Sequence, residues 1–185
     1  EQQKLWTCYL RKWLVGMLAG WTLDDVVNNV IIVLIGAQGS GKSTWIAMIL
    51  PPELRQYFYT KTNASRLSKD DLLVLATYGL MLCEELDTMK PSELNQLKAA
   101  VTMLTIDERA AYAHYAEHRP HIASFAATGN NVQFLSDPTG NRRWLPFEVE
   151  SIQSPREHPF DYPHIYAQAL HLLRSGFRYW FTQQE

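Results

Sequence analysis

The stretch Asn29-Val-Ile-Ile-Val-Leu-Ile35, followed by Gly36-Ala-Gln-Gly-Ser-Gly-Lys-Ser43, decides the fold of this chain. Its first part is short, β-branched and apolar throughout, which is typical of a strand buried on both faces of a parallel sheet. Its second part fits the pattern G-x-x-x-x-G-K-[ST], and residues 43–50 are predicted to form a helix that ends at Pro51. A strand, a glycine-rich loop and a helix in this order indicate a phosphate-binding loop.

The residue types in this loop suit a nucleotide. Glycines let backbone N–H groups converge on phosphate oxygens, and the following helix directs the positive end of its dipole at the same charge. Lys42 is expected to reach the β- and γ-phosphates and Ser43 to bind Mg²⁺. The alternative, a glycine-rich turn with a solvated lysine, does not explain the flanking strand and helix. The predicted ligands are ATP and Mg²⁺, and the predicted binding residues are Gly36, Gln38, Gly39, Ser40, Gly41, Lys42, Ser43 and Thr44.

An acidic pair follows a second predicted strand, residues 79–83. Such a loop needs a second acidic site to hold Mg²⁺ and to orient the attacking water. We assign Glu84, with Ser43, to the metal and Glu85 to the water. Because side chains alternate along a strand, both carboxylates can face the phosphate only if the strand ends between them. The alternative is a solvated acidic strand end that includes Asp87.

Two further candidate groups flank predicted strands: an asparagine follows the third strand, and a pair of arginines precedes the fourth. Asn130 follows the third strand, residues 121–127, where it is expected to contact the γ-phosphate and hold the nucleophilic water. Asparagine in a turn is also common for backbone reasons alone. Arg142 and Arg143 precede a fourth strand, residues 144–149. Local sequence leaves open whether they are a solvated edge or an arginine finger, which a neighbouring subunit often supplies.

The remaining chain predicts helices that alternate with these strands, and hence an α/β domain with a largely parallel sheet. Residues 57–78 and 105–119 show no clean periodicity apart from one helix in the first of them. The organisation predicted is an N-terminal helical segment at 1–25, a phosphate-loop core at 26–150 and a C-terminal helical segment at 151–185. The other predicted helices are 5–18, ending near Gly20, then 70–76, 91–104 and 165–181, the last interrupted near Gly176.

Composition excludes several classes of protein. The chain has 185 residues, 46% of them hydrophobic, and a formal net charge of −2, which argues against nucleic-acid binding by bulk attraction. Only Cys8 and Cys83 are present, so no disulfide scaffold exists, and both are expected to be buried thiols in a reducing compartment. No apolar run is long enough to span a bilayer, and no secretion signal is evident. We therefore expect a cytoplasmic protein, and a fragment of something longer because no initiator Met is present.

Taken in order, these pieces resemble the virulence-associated protein E family, ATPases of the superfamily 3 helicase type within the AAA+ class, found with phage- and plasmid-borne replication genes. The resemblance implies a P-loop ATPase fold, a three-layer sandwich around a mainly parallel sheet, in an oligomeric, hexameric motor on DNA. It also implies Asn130 as a sensor, Arg142 or Arg143 as the finger, and a primase-like region in the full-length protein. The matching segments are Gly36-Ala-Gln-Gly-Ser-Gly-Lys-Ser43, Met81-Leu-Cys-Glu-Glu-Leu-Asp87, Glu93-Leu-Asn-Gln-Leu-Lys98, Arg109-Ala-Ala-Tyr112, Ser124-Phe-Ala-Ala-Thr-Gly-Asn130 and Asp137-Pro-Thr-Gly-Asn-Arg-Arg143.

In that family the segment between the acidic strand and the sensor strand carries DNA-contacting groups. Cations interleaved with aromatic rings suit single-stranded DNA, because cations track phosphates and rings stack on bases. A solvated segment that packs its tyrosines on the core is the alternative. The predicted contacts are Lys98, Arg109, Tyr112, His118 and Arg119.

Three competing functions follow from the same residues. The segment from His114 to His118 matches H-x-x-E-H, known from zinc peptidases, but such a site needs a helix and a third ligand. A small-molecule kinase would need an arginine-rich lid before Arg142, which we do not find. A nucleotide-dependent switch or assembly module with little hydrolysis is disfavoured by the intact acidic pair, and only kinetics excludes it.

Overall fold

The computed structural model of the protein describes residues 2–62, 67–108, 114–132 and 141–182. Five parallel strands form a central sheet in the order β2-β3-β6-β1-β7, and β4 pairs with β5 in a separate antiparallel hairpin. The strands are β1 (Ile31–Ile35), β2 (Phe58–Lys61), β3 (Leu80–Cys83), β4 (Thr105–Glu108), β5 (Glu117–Pro120), β6 (Ser124–Gly129) and β7 (Trp144–Glu148). The helices are α1 (Gln2–Thr22), α2 (Lys42–Ala47), α3 (Lys69–Val74), α4 (Pro91–Ala100) and α5 (Tyr162–Arg174). These bounds confirm the prediction of an α/β domain with a parallel sheet.

The strand order places β1 at a switch point of the sheet. The chain leaves β1 towards the β2 edge and returns through β3 and β6, and it then passes over β1 to reach β7. In open parallel sheets, ligands bind beyond the carboxyl ends of the strands at such a point. The segments that follow β1, β3 and β6 therefore converge at one edge, which we call the carboxyl edge.

Alternation along β1 builds two hydrophobic cores, one on each face of the sheet. Ile31, Val33 and Ile35 belong to the core that packs against α4. Ile32 and Leu34 belong to the core that packs against α1, α2 and α5. Because all five residues are buried, the strand shows no polar face, as the continuous apolar run predicts. Helices on both faces give three layers.

The terminal helices belong to the second of these cores. The Trp13 indole Nε1 on α1 donates a hydrogen bond of 3.0 Å to the backbone oxygen of Phe125 in β6. Tyr162 at the start of α5 donates through its hydroxyl to the backbone oxygen of Met48, at 2.6 Å. Both helices thus pack directly on the phosphate-loop side of the sheet. No helix in the described part of the chain combines the length and hydropathy needed to cross a bilayer.

Several element boundaries differ from those predicted. The predicted helix 43–50 starts at Lys42 and gives way to turns after Ala47, and the predicted helix 91–104 stops at Ala100. The C-terminal helix starts at Tyr162, after an Asp161 side chain that accepts from the His164 backbone N–H. It ends at Arg174, before Gly176, whose φ of 79° continues no helix. The third predicted strand, 121–127, corresponds to β6, which begins at Ser124.

Two elements were not predicted because neither has a long apolar pattern. β2 is a four-residue edge strand, and it ends in the charged Lys61. The described residues of the β4–β5 hairpin are mostly polar and exposed, and the hairpin contributes the buried Ile106 to the core that packs against α4. The prediction for the cysteines was half wrong: Cys83 is buried, and burial raises the pKa of its thiol to about 12, whereas Cys8 is exposed on α1.

Candidate functional site

A cleft of about 330 Å³ opens at the carboxyl edge of the sheet. Segments that follow three different strands, β1, β3 and β6, contribute to its walls. The structure thereby brings together most of the residues predicted to act on a phosphate. The lining residues are Gln38, Gly39, Ser40, Gly41, Lys42, Ser43, Thr44, Glu84, Glu85, Thr128 and Asn130.

The glycine-rich loop, residues 36–43, needs its glycines for two physical reasons. Gly39 and Gly41 have φ angles of 79° and 86°, a left-handed conformation that other residues adopt only with strain. Gly36 approaches the backbone of Val149, the residue after β7, so closely that a Cβ at position 36 would lie 2.4 Å from the Val149 oxygen. The loop therefore owes its shape to the sequence pattern that predicted it.

Lys42 is the buried cation of the cleft. Its Nζ donates to the backbone oxygens of Gly36 and Ala37, both at 2.7 Å, and to the Ser40 Oγ at 3.2 Å. Burial lowers the pKa of Lys42, an effect that the negative charge of Asp87 partly opposes. An ammonium enclosed by these oxygens is placed to donate charge-assisted hydrogen bonds to an anion bound in the loop.

Ser43 and Glu84 meet across the floor of the cleft, where the Ser43 hydroxyl donates to Glu84 Oε1 at 2.5 Å. The backbone N–H of Glu84 donates to the Lys61 oxygen at the end of β2, at 3.2 Å, so the neighbouring strand fixes the backbone that carries this carboxylate. One hydroxyl and one carboxylate suit Mg²⁺, which takes few protein ligands and completes its shell with water and phosphate. Among the described residues no group of three or more His, Cys, Asp or Glu could hold a metal by itself.

Glu85 faces the same cleft as Glu84 because the backbone breaks the alternation of the strand. β3 ends at Cys83, before both acids, and Glu85 adopts φ 57° and ψ 46°, in the left-handed region. A non-glycine residue there costs on the order of 1 kcal/mol or more, and such strain concentrates at functional sites. The structure thus answers how two successive acids line one cleft.

Asp87 is a site residue that the sequence reasoning assigned only to a solvated strand end. Its carboxylate accepts from the Asn130 backbone N–H at 3.1 Å and from the Asn131 amide at 3.2 Å. Asp87 therefore ties the segment after β3 to the segment after β6 and fixes Asn130 at the cleft. The sequence signal for this role was the position of Asp87, two residues after the acidic pair.

Arg142 and Arg143 do not join the cleft. They form a short 3₁₀ turn immediately before β7, whose first residue, Trp144, pairs with the first residue of β1, Ile31. The four steps from there to Ile35, at about 3.3 Å each, span roughly 13 Å before the loop begins. Both arginines thus start at the opposite edge of the sheet, which we call the amino edge, farther from the cleft of the same chain than an arginine side chain reaches.

The residues predicted to contact DNA are only partly at the surface. Lys98 is buried in α4, which removes it from any direct contact with DNA. His118 pairs with Asp107 at 2.6 Å and Arg119 with Glu117 at 2.7 Å, within the β4–β5 hairpin. Arg109 and Tyr112 lie outside the described residues. The hairpin also disposes of the H-x-x-E-H alternative, because Glu117 and His118 lie on a strand and not on a helix.

A buried ion pair stabilises the end of β2 at the carboxyl edge. Lys61 Nζ lies 2.9 Å from Asp71 Oδ2, and Ser68 donates to the same carboxylate oxygen from its backbone N–H and its hydroxyl. Burial disfavours the ionised carboxylate, but the bonds from Ser68 and Lys61 outweigh it, and the pKa of Asp71 is lowered. The pair anchors the end of β2, whose last carbonyl holds Glu84.

The comparisons with known proteins agree with this architecture. The A-form apo structure of the NrS-1 C-terminal region aligns with a TM-score of 0.57 and 15% identity, covering 92% of this chain and 40% of that one. An apo structure of NrS-1 residues 305–718 gives a TM-score of 0.57 and 16% identity over 92% of this chain and 40% of that one. This chain spans about two fifths of those chains, and such low identity shows a shared fold alone. No curated protein matches the sequence. The model of the virulence-associated protein E-like domain, however, matches residues 1–185, and the chain belongs to that family.

Proposed function

We propose that this domain binds ATP with Mg²⁺ and hydrolyses it, as part of a phage- or mobile-element-type replication protein that moves on or remodels DNA. One observation carries the proposal: the Ser43–Glu84 hydrogen bond joins the glycine-rich loop to the acidic strand end, beside the enclosed ammonium of Lys42. A cation, a metal-binding pair and a second carboxylate around one cleft are the groups that phosphoryl transfer requires. Membership of the virulence-associated protein E-like family supports the replication role that the family resemblance implies.

Each residue of the cleft then has a role. Backbone N–H groups of residues 38–43 hold the phosphates, and Lys42 turns from its loop carbonyls towards their oxygens. Ser43 and Glu84 would hold Mg²⁺, which neutralises charge on the β- and γ-phosphates when bound. Glu85 orients the attacking water and accepts its proton, and Asn130, positioned by Asp87, hydrogen-bonds the γ-phosphate or that water.

A second copy of the chain completes this site. Since Arg142 and Arg143 lie at the amino edge, an arginine finger from this segment acts on a neighbour's cleft and not on its own. That arrangement favours a closed ring, because a contact between two different surfaces repeats around an axis. The isolated monomer is then expected to bind ATP but to turn it over slowly.

DNA contact falls to the β4–β5 hairpin, which lies between α4 and β6 in the chain and packs beside α3. Tyr115, in the segment between β4 and β5, is 83% exposed and offers its ring for stacking on a base. The described residues of the hairpin include more acidic than permanently basic side chains. The acids are Asp107, Glu108 and Glu117, and the permanent cation is Arg119. We therefore expect stacking, and not bulk charge, to dominate what this part of the hairpin contributes.

Mg²⁺-dependent ATP turnover, measured against protein concentration with and without single-stranded DNA, tests the proposal. Turnover per chain should rise with concentration and with DNA, and Glu85→Gln should abolish it while ATP still binds. Glu108→Gln, a matched change in the hairpin outside the cleft, should leave turnover without DNA near the wild-type level.

Other outcomes would redirect the assignment. Tight ATP binding with no turnover at any concentration would favour a nucleotide-dependent switch. Turnover that ignores both DNA and concentration would contradict the motor. An unchanged rate in Glu85→Gln would remove that carboxylate from the chemistry.

A further inference from the structure

A pocket of about 800 Å³ shares no described lining residue with the cleft. It lies beyond the carboxyl ends of β1 and β7, under the first turns of α1 and beside α2. Its walls combine aromatic rings, aliphatic side chains and a few polar groups, as ligand pockets usually do. The residues that matter here are Trp6, Trp45, Phe147, Glu148, Val149 and Ile152.

The pocket and the phosphate cleft are lined by residues that are neighbours in the chain. Thr44 lines the cleft and Trp45, the next residue on α2, lines the pocket. On the other side, Ile35 lines the pocket and leads directly into the loop at Gly36. The Val149 N–H donates to the Ile35 oxygen at 2.7 Å, so this wall is fixed to the strand that carries the loop. A molecule with its phosphates in the loop thus has an adjoining chamber for the rest of it.

The rings in this chamber are arranged to receive a flat partner. Trp6 meets Trp45 at a centroid distance of 5.7 Å and an angle of 50°, and it meets Phe147 at 4.7 Å and 80°. Trp45 also meets Phe160 edge-on, at 5.6 Å and 86°. None of these three contacts is a parallel stack, and Trp6 and Trp45 also line the pocket. A planar heteroaromatic ring in the pocket could therefore form an offset stack on either of them.

We propose that this pocket holds the base of the nucleotide whose phosphates bind the glycine-rich loop, with Trp45 and Trp6 as its stacking partners. The inference rests on the proposed function and adds to it the subsite that separates a nucleotide from a bare polyphosphate. The carboxylates of Glu148 and Glu150 at the wall accept hydrogen bonds and so favour a base edge that carries N–H groups. Since α1 supplies Trp6, binding of the base also couples the N-terminal helix to the loop.

The test compares two ligands that share a phosphate chain, ATP and inorganic tripolyphosphate, each with Mg²⁺, by calorimetry on the whole chain. The wild type should bind ATP more tightly than tripolyphosphate. Trp45→Leu and Trp6→Leu should each weaken ATP about tenfold or more, the usual effect of removing one stacking ring, and leave tripolyphosphate unchanged. Trp180→Leu is the matched control, because Trp180 is 53% exposed and does not line the pocket.

The ligand pair separates two kinds of failure. If the wild type binds neither ligand, the phosphate site itself is wrong and the base pocket falls with it. If it binds both equally, or if Trp45→Leu weakens both alike, the phosphate site stands and the base pocket is overturned. Should the leucine variants fold poorly, indole emission of the wild type decides: it should change with ATP and not with tripolyphosphate, and Trp45→Phe should diminish that change.

Discussion

The two edges of the central sheet differ in whether the functional residues predicted there are assembled within one chain. At the carboxyl edge, Lys42, Ser43 and Glu84 already contact the groups that hold them. At the amino edge, Arg142 and Arg143 stand before β7, with a strand's length between them and the cleft. Under the proposed function, one chain would bind the nucleotide and its metal by itself, whereas its arginines would act on the cleft of another chain. Binding and turnover should therefore depend differently on assembly.

The largest expected effect tests the amino edge. Arg142→Ala or Arg143→Ala, whichever removes the finger, should lower turnover by about 10³-fold, because such an arginine neutralises charge in the transition state. ATP binding should change little. Steady-state turnover and calorimetry on each variant give the two numbers, and Arg11→Ala on the exposed face of α1 serves as the control.

Mixing sharpens that prediction. The Glu85→Gln chain has a defective cleft and intact arginines, whereas the arginine variant has an intact cleft and lacks the finger. An equal mixture of these two inactive chains should regain turnover well above either alone, since some neighbours pair an intact cleft with an intact finger. No recovery in a mixture that co-assembles would mean that both edges serve the same chain, against the geometry.

The second effect concerns the carboxyl edge alone. Lys42→Met should weaken Mg²⁺–ATP binding by roughly 100-fold, because it removes a buried charge that would bond the phosphates directly. The loss should be the same in monomer and assembly, unlike the loss in the arginine variants. Calorimetry at two protein concentrations measures it. Lys69→Met, at a side chain 81% exposed, should bind like the wild type.

A third effect tests what holds the carboxyl edge in place. Asp71→Asn removes the charge that Lys61 needs, and it should lower the free energy of unfolding by about 2 kcal/mol at pH 7; the asparagine oxygen limits the loss. Urea denaturation of both chains measures the difference. Asp70→Asn, at a neighbouring exposed carboxylate, should change stability far less.

The pH dependence of that difference has a definite sign. The pKa of Asp71 is lowered by folding, so the carboxylate stabilises the protein fully above the ordinary carboxyl pKa. Below that value the unfolded chain takes up the proton first, and the advantage over Asp71→Asn should shrink as the pH falls through the lower pKa of the folded state. A constant difference from pH 7 to 3 would contradict a charged pair.

The sequence predicted best what a contiguous segment must do by itself. The loop from Gly36 to Ser43 needs glycines, a lysine and a hydroxyl at fixed spacing, so its pattern is visible without any tertiary contact. The buried strands β1 and β3 were equally visible, because strands covered on both faces are apolar throughout. The order of the strands is not local, and it alone places β6 between them and so brings Asn130 to the cleft.

Contacts between segments account for what was missed. The role of Asp87 depends on the ends of β3 and β6 lying side by side, and on a left-handed Glu85 that turns the chain between them. The edge strand β2 takes only one neighbour and is four residues long, so propensity had little to detect. Which edge the arginines occupy follows from the parallel register of β7, which no local pattern encodes.

The smallest expected effect falls on the bond between those two segments. Asp87→Asn keeps one acceptor oxygen for the Asn130 N–H but cannot accept from the Asn131 amide as well, and it withdraws a negative charge that raises the pKa of Lys42. We expect turnover to fall about 3- to 10-fold, the value of one hydrogen bond, while ATP binding stays nearly constant. Single-turnover kinetics separates the two, and Asp24→Asn on an exposed turn is the control.

Two measurements distinguish a positioning role of Asp87 from a metal-binding role: the turnover rate, and the Mg²⁺ concentration that gives half-maximal turnover. If Asp87 only positions Asn130, the loss lies in turnover, and it should appear equally in the monomer and in the assembled protein because both partners belong to one chain. If Asp87 instead binds the metal, the variant should need more Mg²⁺ for half-maximal turnover. That second result would move Asp87 into the metal site beside Glu84, and the carboxyl edge would then hold three acidic groups with chemical roles.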